Sequence, residues 1–346
     1  MPITGVFFIP SNPNASTALS TVTERLHSRL ADEPTPIGRW ALEHKLMRDT
    51  PSCLPASASQ RPTQPRYMQF LSLTYYPNHG FIYTSPSEHT AAHSHQHPHP
   101  QSQAIPTPTP TPSSTHAPGT AAAPAPAPAA TPSQQPQTQS QHNSMVMTTV
   151  PLPACGTLFQ HFVYACQPFW CHRHTVAVPG GMVYDVGDFR VRVGDVRQTA
   201  PAARVRGTVV ELEWRGPSLS AAVSAQYLQR QRGPGAADAR GVGDEEDGGD
   251  DDSGVDVGAF PEGITEDDVD AEYVAVAGLI REFWGRLGVE GAREAILVPD
   301  VGKEVKAQLH VLQGPGKQMS PGAEDPDPDA GVDVARQFME IFRFNR

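Results

Sequence analysis

The sequence predicts an α+β fold built on antiparallel hairpins, and three stretches carry that expectation. From Met182 to Arg215 the chain reads as two strands and a turn. Phe189, Val191 and Val193 alternate with Arg190 and Arg192, then Val210, Leu212 and Trp214 alternate with Glu211 and Glu213. Tyr67 to Tyr83 reads as a second hairpin, turned at Pro77-Asn78-His79-Gly80. Behind Thr265, a helix stripe runs through Tyr273, Val276, Ile280, Phe283, Trp284 and Leu287.

Taken in order, Ile3 to Ile9 is an apolar run suited to a buried strand. Ser16 is placed to cap a helix with Leu19, Val22, Leu26 and Leu30 on one stripe. In Arg39 to Leu46, Trp40, Leu42, His44 and Leu46 alternate with Arg39, Ala41, Glu43 and Lys45, which predicts a half-buried strand, and Pro51 to Pro65 reads as a loop. The Tyr67 hairpin follows and completes the first part of the domain, residues 1–86. Residues 87–153 change composition to Thr-Pro, Ala-Pro, Gln, Ser and His; with so little to bury, this insertion is expected to be disordered. The second part, residues 154–215, opens on a helix stripe of Leu158, Phe159, Phe162, Val163 and Cys166 and continues into the central hairpin. Its turn falls at Gln198 to Pro201, with a bulge or strong local twist where Val209 and Val210 adjoin. Arg190 and Arg192 are expected near Glu211 and Glu213 on a solvated face.

Residues 216–263 read as a second, acidic disordered insertion whose start, Ser218 to Gln231, suits a weak helix. Residues 264–346 close the domain. Thr265 caps a helix that Gly288 ends, Ile296 to Val298 and Val305 to Val311 read as short strands, and residues 314–331 as a loop. A last helix carries Val334, Phe338 and Ile341.

Composition narrows the classes. Of 346 residues, about 200 remain once the biased tracts are set aside, enough for one ordinary domain. The net charge is −11, with pI about 5.7 and mean hydropathy −0.39. Seven acids between Asp244 and Asp252 supply much of that excess, so the folded part is nearer neutral and a duplex-binding surface is not indicated. Cys53, Cys155, Cys166 and Cys171 are too sparse for a disulfide framework and read as free thiols in a reducing compartment. No apolar run approaches the roughly 18 residues of a membrane span, and Met1 to Gly5 has no signal-like character. The expectation is a soluble intracellular protein.

Several residue sets could carry chemistry. His89, His93, His95, His97 and His99 could chelate a metal, but their Pro-rich tract offers no fold to fix geometry. Cys166, Cys171, His172 and His174 look more like a zinc set, yet lack a second ligand pair at finger spacing and read better as core thiols and strand histidines. Arg190, Arg192, Arg204 and Arg206 could line a nucleic-acid patch, though their spacing suits strand pairing. The sharpest alternative is Glu211 with Glu213. Two glutamates at i and i+2 share a strand face and, inside a barrel, could hold a divalent cation. This resembles the Glu-x-Glu strand of tunnel-type metal-dependent triphosphatases, but no second such strand is found. No catalytic residue, cofactor site or metal ligand set is assigned.

The ordered pieces form a series: Ile3 to Pro10 before a helix, the Tyr67 to Tyr83 hairpin, a helix ending in Phe169-Trp170, then Tyr184 to Gly194 with its partner Arg206 to Trp214, and finally Ala335 to Phe342. In that order they resemble the Mediator complex subunit 20 family, in a filamentous-fungal form with long insertions. The resemblance implies a closed antiparallel barrel of about eight strands with helices packed on and in it, related in architecture to Mediator subunit 18. It implies a non-enzymatic nuclear role in the Mediator head module, paired with subunit 18 and among other head subunits. It also implies indirect links to RNA polymerase II and the TATA-binding protein, with no membrane, no sequence-specific DNA contact and no cofactor.

Overall fold

The long alternating run at Trp40 to Leu46 builds the spine of the sheet. Its strand, β2 (Thr35–Asp49), pairs along its length with β6 (Trp170–Val186). The protein is seen as a computed structural model that describes residues 1–11, 16–55, 65–85, 146–232, 263–314 and 327–343. The strands around the spine are β1 (Thr4–Pro10), β3 (Tyr67–Leu73), β4 (His79–Thr84), β5 (Val146–Pro151), β7 (Phe189–Ala200), β8 (Arg204–Trp214) and β9 (Arg293–Ala295). They form one nine-stranded sheet in the order β5-β4-β3-β2-β6-β7-β8-β1-β9, antiparallel at every pairing. The α+β class and the antiparallel sheet are as expected. The barrel is only approximate, because the sheet is open between β5 and the three-residue β9.

Among the described residues, six α-helices cover this sheet: α1 (Leu19–Arg29), α2 (Leu152–Tyr164), α3 (Leu219–Arg232), α4 (Glu266–Leu287), α5 (Lys303–Gln313) and α6 (Val332–Phe342). One core joins Val22, Leu26, Val223, Ile280 and Leu309 of α1, α3, α4 and α5 to Phe7, Val191, Val210 and Leu212. A second lies on the other face, where Phe338, Met339 and Phe342 of α6 meet Val6, Phe8, Trp40, Phe81, Val178 and Val209. A third seats Cys155 and Phe159 of α2 on Met47 and Phe70. Within the described residues, Met1–Pro86 and Asn143–Arg346 belong to one unit.

Covering both faces explains several departures from expectation. Val209 and Val210 adjoin because each enters a different core, not because the strand bulges there. The irregularity lies at Arg206, which is skipped between the pairs Val196↔Gly207 and Arg197↔Val205. Gly207 serves that bend at φ +154, where a Cβ would lie 2.1 Å from the Ile9 carbonyl oxygen. The turn expected at Gln198 to Pro201 falls later, since β7 runs on to Ala200. Strand β6 was read only in pieces, as strand histidines at His172 and His174 and as the start of the central hairpin at Met182: Pro179-Gly180-Gly181 interrupts its apolar pattern, yet β2 and β7 on either side hold it as one strand.

Helix boundaries follow local chemistry. Thr265 and Asp268 form a reciprocal capping box at α4, and Gly288 ends it in the left-handed conformation, as expected. Ser16 caps nothing; α1 starts at Leu19 behind Ala18, and the Thr17 hydroxyl donates instead to Asp195 Oδ2 at 3.0 Å. Helix α3 is short of sequence signals but is held at its start by Glu272, whose carboxylate accepts from the Leu219 and Ser220 amides at 2.6 and 2.8 Å. Val305 to Val311 is helical, not a strand: Val305, Gln308 and Leu309 bury at helical spacing. Of the expected strand at Ile296 to Val298, only the preceding Arg293–Ala295 pairs, against β1. The chain rejoins the sheet at Val146, ahead of the expected boundary at 154. The rest of the first insertion up to residue 145, with His89 to His99, and the acidic tract at 233–262 lie outside the described residues.

Candidate functional site

Strands β7 and β8 bring the predicted charges together in register, Arg190 opposite Glu213 and Arg192 opposite Glu211. They do not face water. Glu211 is 1% exposed, because α6 and the β3–β4 turn cover that side of the sheet. The Arg192 Nη1 donates to Glu211 Oε1 at 2.6 Å and lies 2.7 Å from Glu213 Oε2. Tyr75 closes the group. Its hydroxyl donates to Glu211 Oε2 at 2.5 Å, and the guanidinium lies 4.0 Å from its ring centroid. Burial raises the Glu211 carboxyl above its usual range against the pull of Arg192, while the two carboxylates keep Arg192 charged. Burial also lifts the Tyr75 hydroxyl far up, with Glu211 adding to it. Arg190 does not join this group; it grips Asp185 across the hairpin at 2.8 and 3.1 Å.

This arrangement corrects the solvated face and bears on the metal alternative. A cation at Glu211 and Glu213 would have to displace a guanidinium already bonded to both. Among the described residues, no group of three or more His, Cys, Asp or Glu is arranged to hold a metal ion. The zinc-like set disperses. Cys171 Sγ meets the Thr50 hydroxyl at 3.4 Å, His172 pairs with the Thr175 hydroxyl at 3.0 Å, and His174 lies beside His44 with ring centroids 6.1 Å apart. Burial lowers His44 to about 3 and His174 to about 4, so both are neutral near pH 7. Burial pushes the Cys155 thiol up to about 11, which fits a core thiol. The nucleic-acid set disperses as well, with Arg192 buried and Arg204 donating to Gln198 at 3.1 Å.

A second polar group, not foreseen from the sequence, fixes α6 inside the sheet. Gln337 Nε2 donates to the carbonyls of Thr4 and Ile296 at 2.7 and 2.9 Å, and its Oε1 accepts from the Thr4 hydroxyl at 2.7 Å. Asp333 accepts from the Tyr273 hydroxyl at 2.7 Å and from the Gly302 amide at 3.1 Å. Arg336, 2% exposed, donates to Asp333 at 2.9 Å and forms a two-pronged pair with Glu304. The only sequence signal was four polar residues, Asp333, Arg336, Gln337 and Glu340, on a helix otherwise apolar. Most of the donors and acceptors of these groups are spent on the fold, though the Arg336 Nε stays buried without a partner; among the described residues the arrangement orients elements and presents no group of ligands for a metal.

Among the described residues, no helix is long and apolar enough to cross a membrane. No curated protein matches the chain. A family model described as "TATA-binding related factor (TRF) of subunit 20 of Mediator complex" matches residues 1–343, and the chain belongs to that family. It is thereby a Mediator subunit in transcription regulation, a class that associates with other Mediator subunits and is generally non-enzymatic.

Proposed function

From membership of the Mediator subunit 20 family, we propose that this chain is a non-enzymatic assembly subunit of the Mediator head module in the nucleus. It pairs with Mediator subunit 18 and helps carry regulatory signals to RNA polymerase II and, indirectly, to the TATA-binding protein. One observation carries the reading beyond the family itself: the carboxylate pair that most resembled a reaction centre, Glu211 and Glu213, is committed to Arg192. The sheet and its helices then act as a rigid block held by neighbours.

The test is thermal unfolding of the full chain alone and with subunit 18. At a partner concentration about 100 times Kd, linkage adds roughly 2.7 kcal/mol, a rise of several degrees. Equal midpoints would count against the pairing. For the metal-dependent alternative, manganese- or magnesium-dependent phosphate release from a triphosphate, lost in Glu211→Ala, would overturn the non-enzymatic reading. The expected result is background turnover in both proteins.

A further inference from the structure

The turn that follows β2 and the first residues of β6 bring two thiols together. Asp49, the last residue of β2, lies opposite Trp170, the first of β6, and Arg48 lies opposite Cys171. The chain leaves β2 through the short 3-10 turn Pro51–Cys53. Thr50 ties the two segments. Its amide donates to the Phe169 carbonyl at 2.9 Å, and its own carbonyl accepts from the Cys53 amide at 2.9 Å. Its hydroxyl lies 3.4 Å from Cys171 Sγ. Both cysteines are therefore fixed on one residue, and their thiols are hydrogen-bonded to each other. Both are half-buried, and neither stands in a disulfide.

The position of this pair sets it apart from the other cysteines. Cys155 is buried under α2 against Met47 and Phe70. Cys166 bonds the chain through its carbonyl, which accepts from the Phe169 and Trp170 amides at 2.9 and 3.0 Å. Burial pushes the Cys53 thiol up, and Cys171 adds to the rise, against the pull of Arg173 and Arg48. Cys53 thus stays protonated near pH 7 and is poorly suited to react first. Cys171 is then the sulfur that meets a small oxidant, with Cys53 waiting beside it.

We propose that Cys53 and Cys171 form a reversible disulfide in the presence of a peroxide, a modification that clips the 3-10 turn to the start of β6. Hydrogen peroxide gives one oxygen to Cys171 Sγ, forming a sulfenic acid and releasing one water. Cys53 Sγ then attacks that sulfur. The S–S bond forms as the S–O bond breaks, and the hydroxyl leaves with the Cys53 proton as a second water. The two sulfurs together lose two electrons and the peroxide gains them. A surrounding thiol pool returns the pair to the reduced form by exchange, as befits disulfides inside cells, which are mostly transient. The inference stands apart from the assembly reading, because pairing with subunit 18 holds whether or not these thiols oxidise.

The experiment is mass spectrometry of the full-length chain after a brief exposure to hydrogen peroxide, with remaining thiols blocked by iodoacetamide. The expected product, before blocking, is a monomer lighter by about 2 Da, the mass of the two hydrogens lost. Its peptide map should link Cys53 to Cys171 and leave Cys155 and Cys166 alkylated, and dithiothreitol should restore both thiols. The thermal midpoint of the oxidised chain is expected to rise by several degrees, since the link closes a long loop. Cys53→Ser is expected to lose the link and leave Cys171 as a sulfenic acid that dimedone captures; Cys171→Ser is expected to lose both signals. Four unmodified thiols, sulfinic acid with no link, a link to Cys155 or Cys166, or a link only between two chains each overturn the proposal. The map of the unsubstituted chain decides it alone, so a variant that fails to fold does not leave it open.

Discussion

Replacing Arg192 with Met would leave Glu211 buried against a covered sheet face with no countercharge, while Glu213 keeps Arg215 at 3.2 Å. Breaking a buried pair from one side costs about 3–5 kcal/mol, so the urea midpoint of Arg192→Met should fall steeply. Pairing it with Glu211→Leu should recover a large part of the loss, because the stranded charge goes with its partner. A double variant no more stable than the single one would show that the cluster is not held as described. His44 gives a pH-linked outcome. Its folded-state value of about 3, like that of about 4 for His174, lies below the unfolded value near 6.5. The unfolded chain therefore takes protons first. Stability is full above about pH 6.5 and falls as pH drops, by roughly 1.4 kcal/mol per unit for each histidine. Urea titrations at pH 7 and 5.5 should show this fall, and His44→Gln should make it shallower; an equal slope in the variant would remove His44 as a cause. At this scale the sequence set Arg190 and Arg192 near Glu211 and Glu213, as the pairing has it, but neither gave the register nor saw that the charges are buried. Alternation reveals which residues share a face; it cannot reveal that Tyr75 and α6 arrive from distant positions to cover it.

Helix α4 was legible to the residue because its limits are local: a capping box at Thr265 and a left-handed glycine at 288. Thr265→Ala should cost about 1 kcal/mol, read as a lowered thermal midpoint, and an unchanged midpoint would mean the cap contributes nothing. Helix α5 was not legible, since Val305, Leu309 and Val311 also satisfy a period of two and its buried Gln308 carries no apolar signal. Gln308 buries because Ser224 and Asp329 bond it at 2.9 and 3.0 Å. Strand β6 was hidden for a related reason: its neighbours hold it through a stretch that its own residues would break.

For the whole molecule, the order and sense of the strands were half legible and the openness of the sheet was not, since it depends on how little of residues 293–298 pairs with β1. The insertion between β4 and β5 has a thermodynamic consequence. Thr84 lies opposite Val146, so residues 85–145 connect two antiparallel neighbours. Replacing them by a turn of about four residues removes four doublings of loop length, worth roughly 2 kcal/mol. The shortened protein should melt higher and still pair with subunit 18; a lower melting point would mean the tract supports the fold. The fold thus sets no tight limit on the tract's length: each doubling would cost only about 0.6 kcal/mol, so a longer or shorter spacer leaves the pairing of Thr84 with Val146 nearly as favourable.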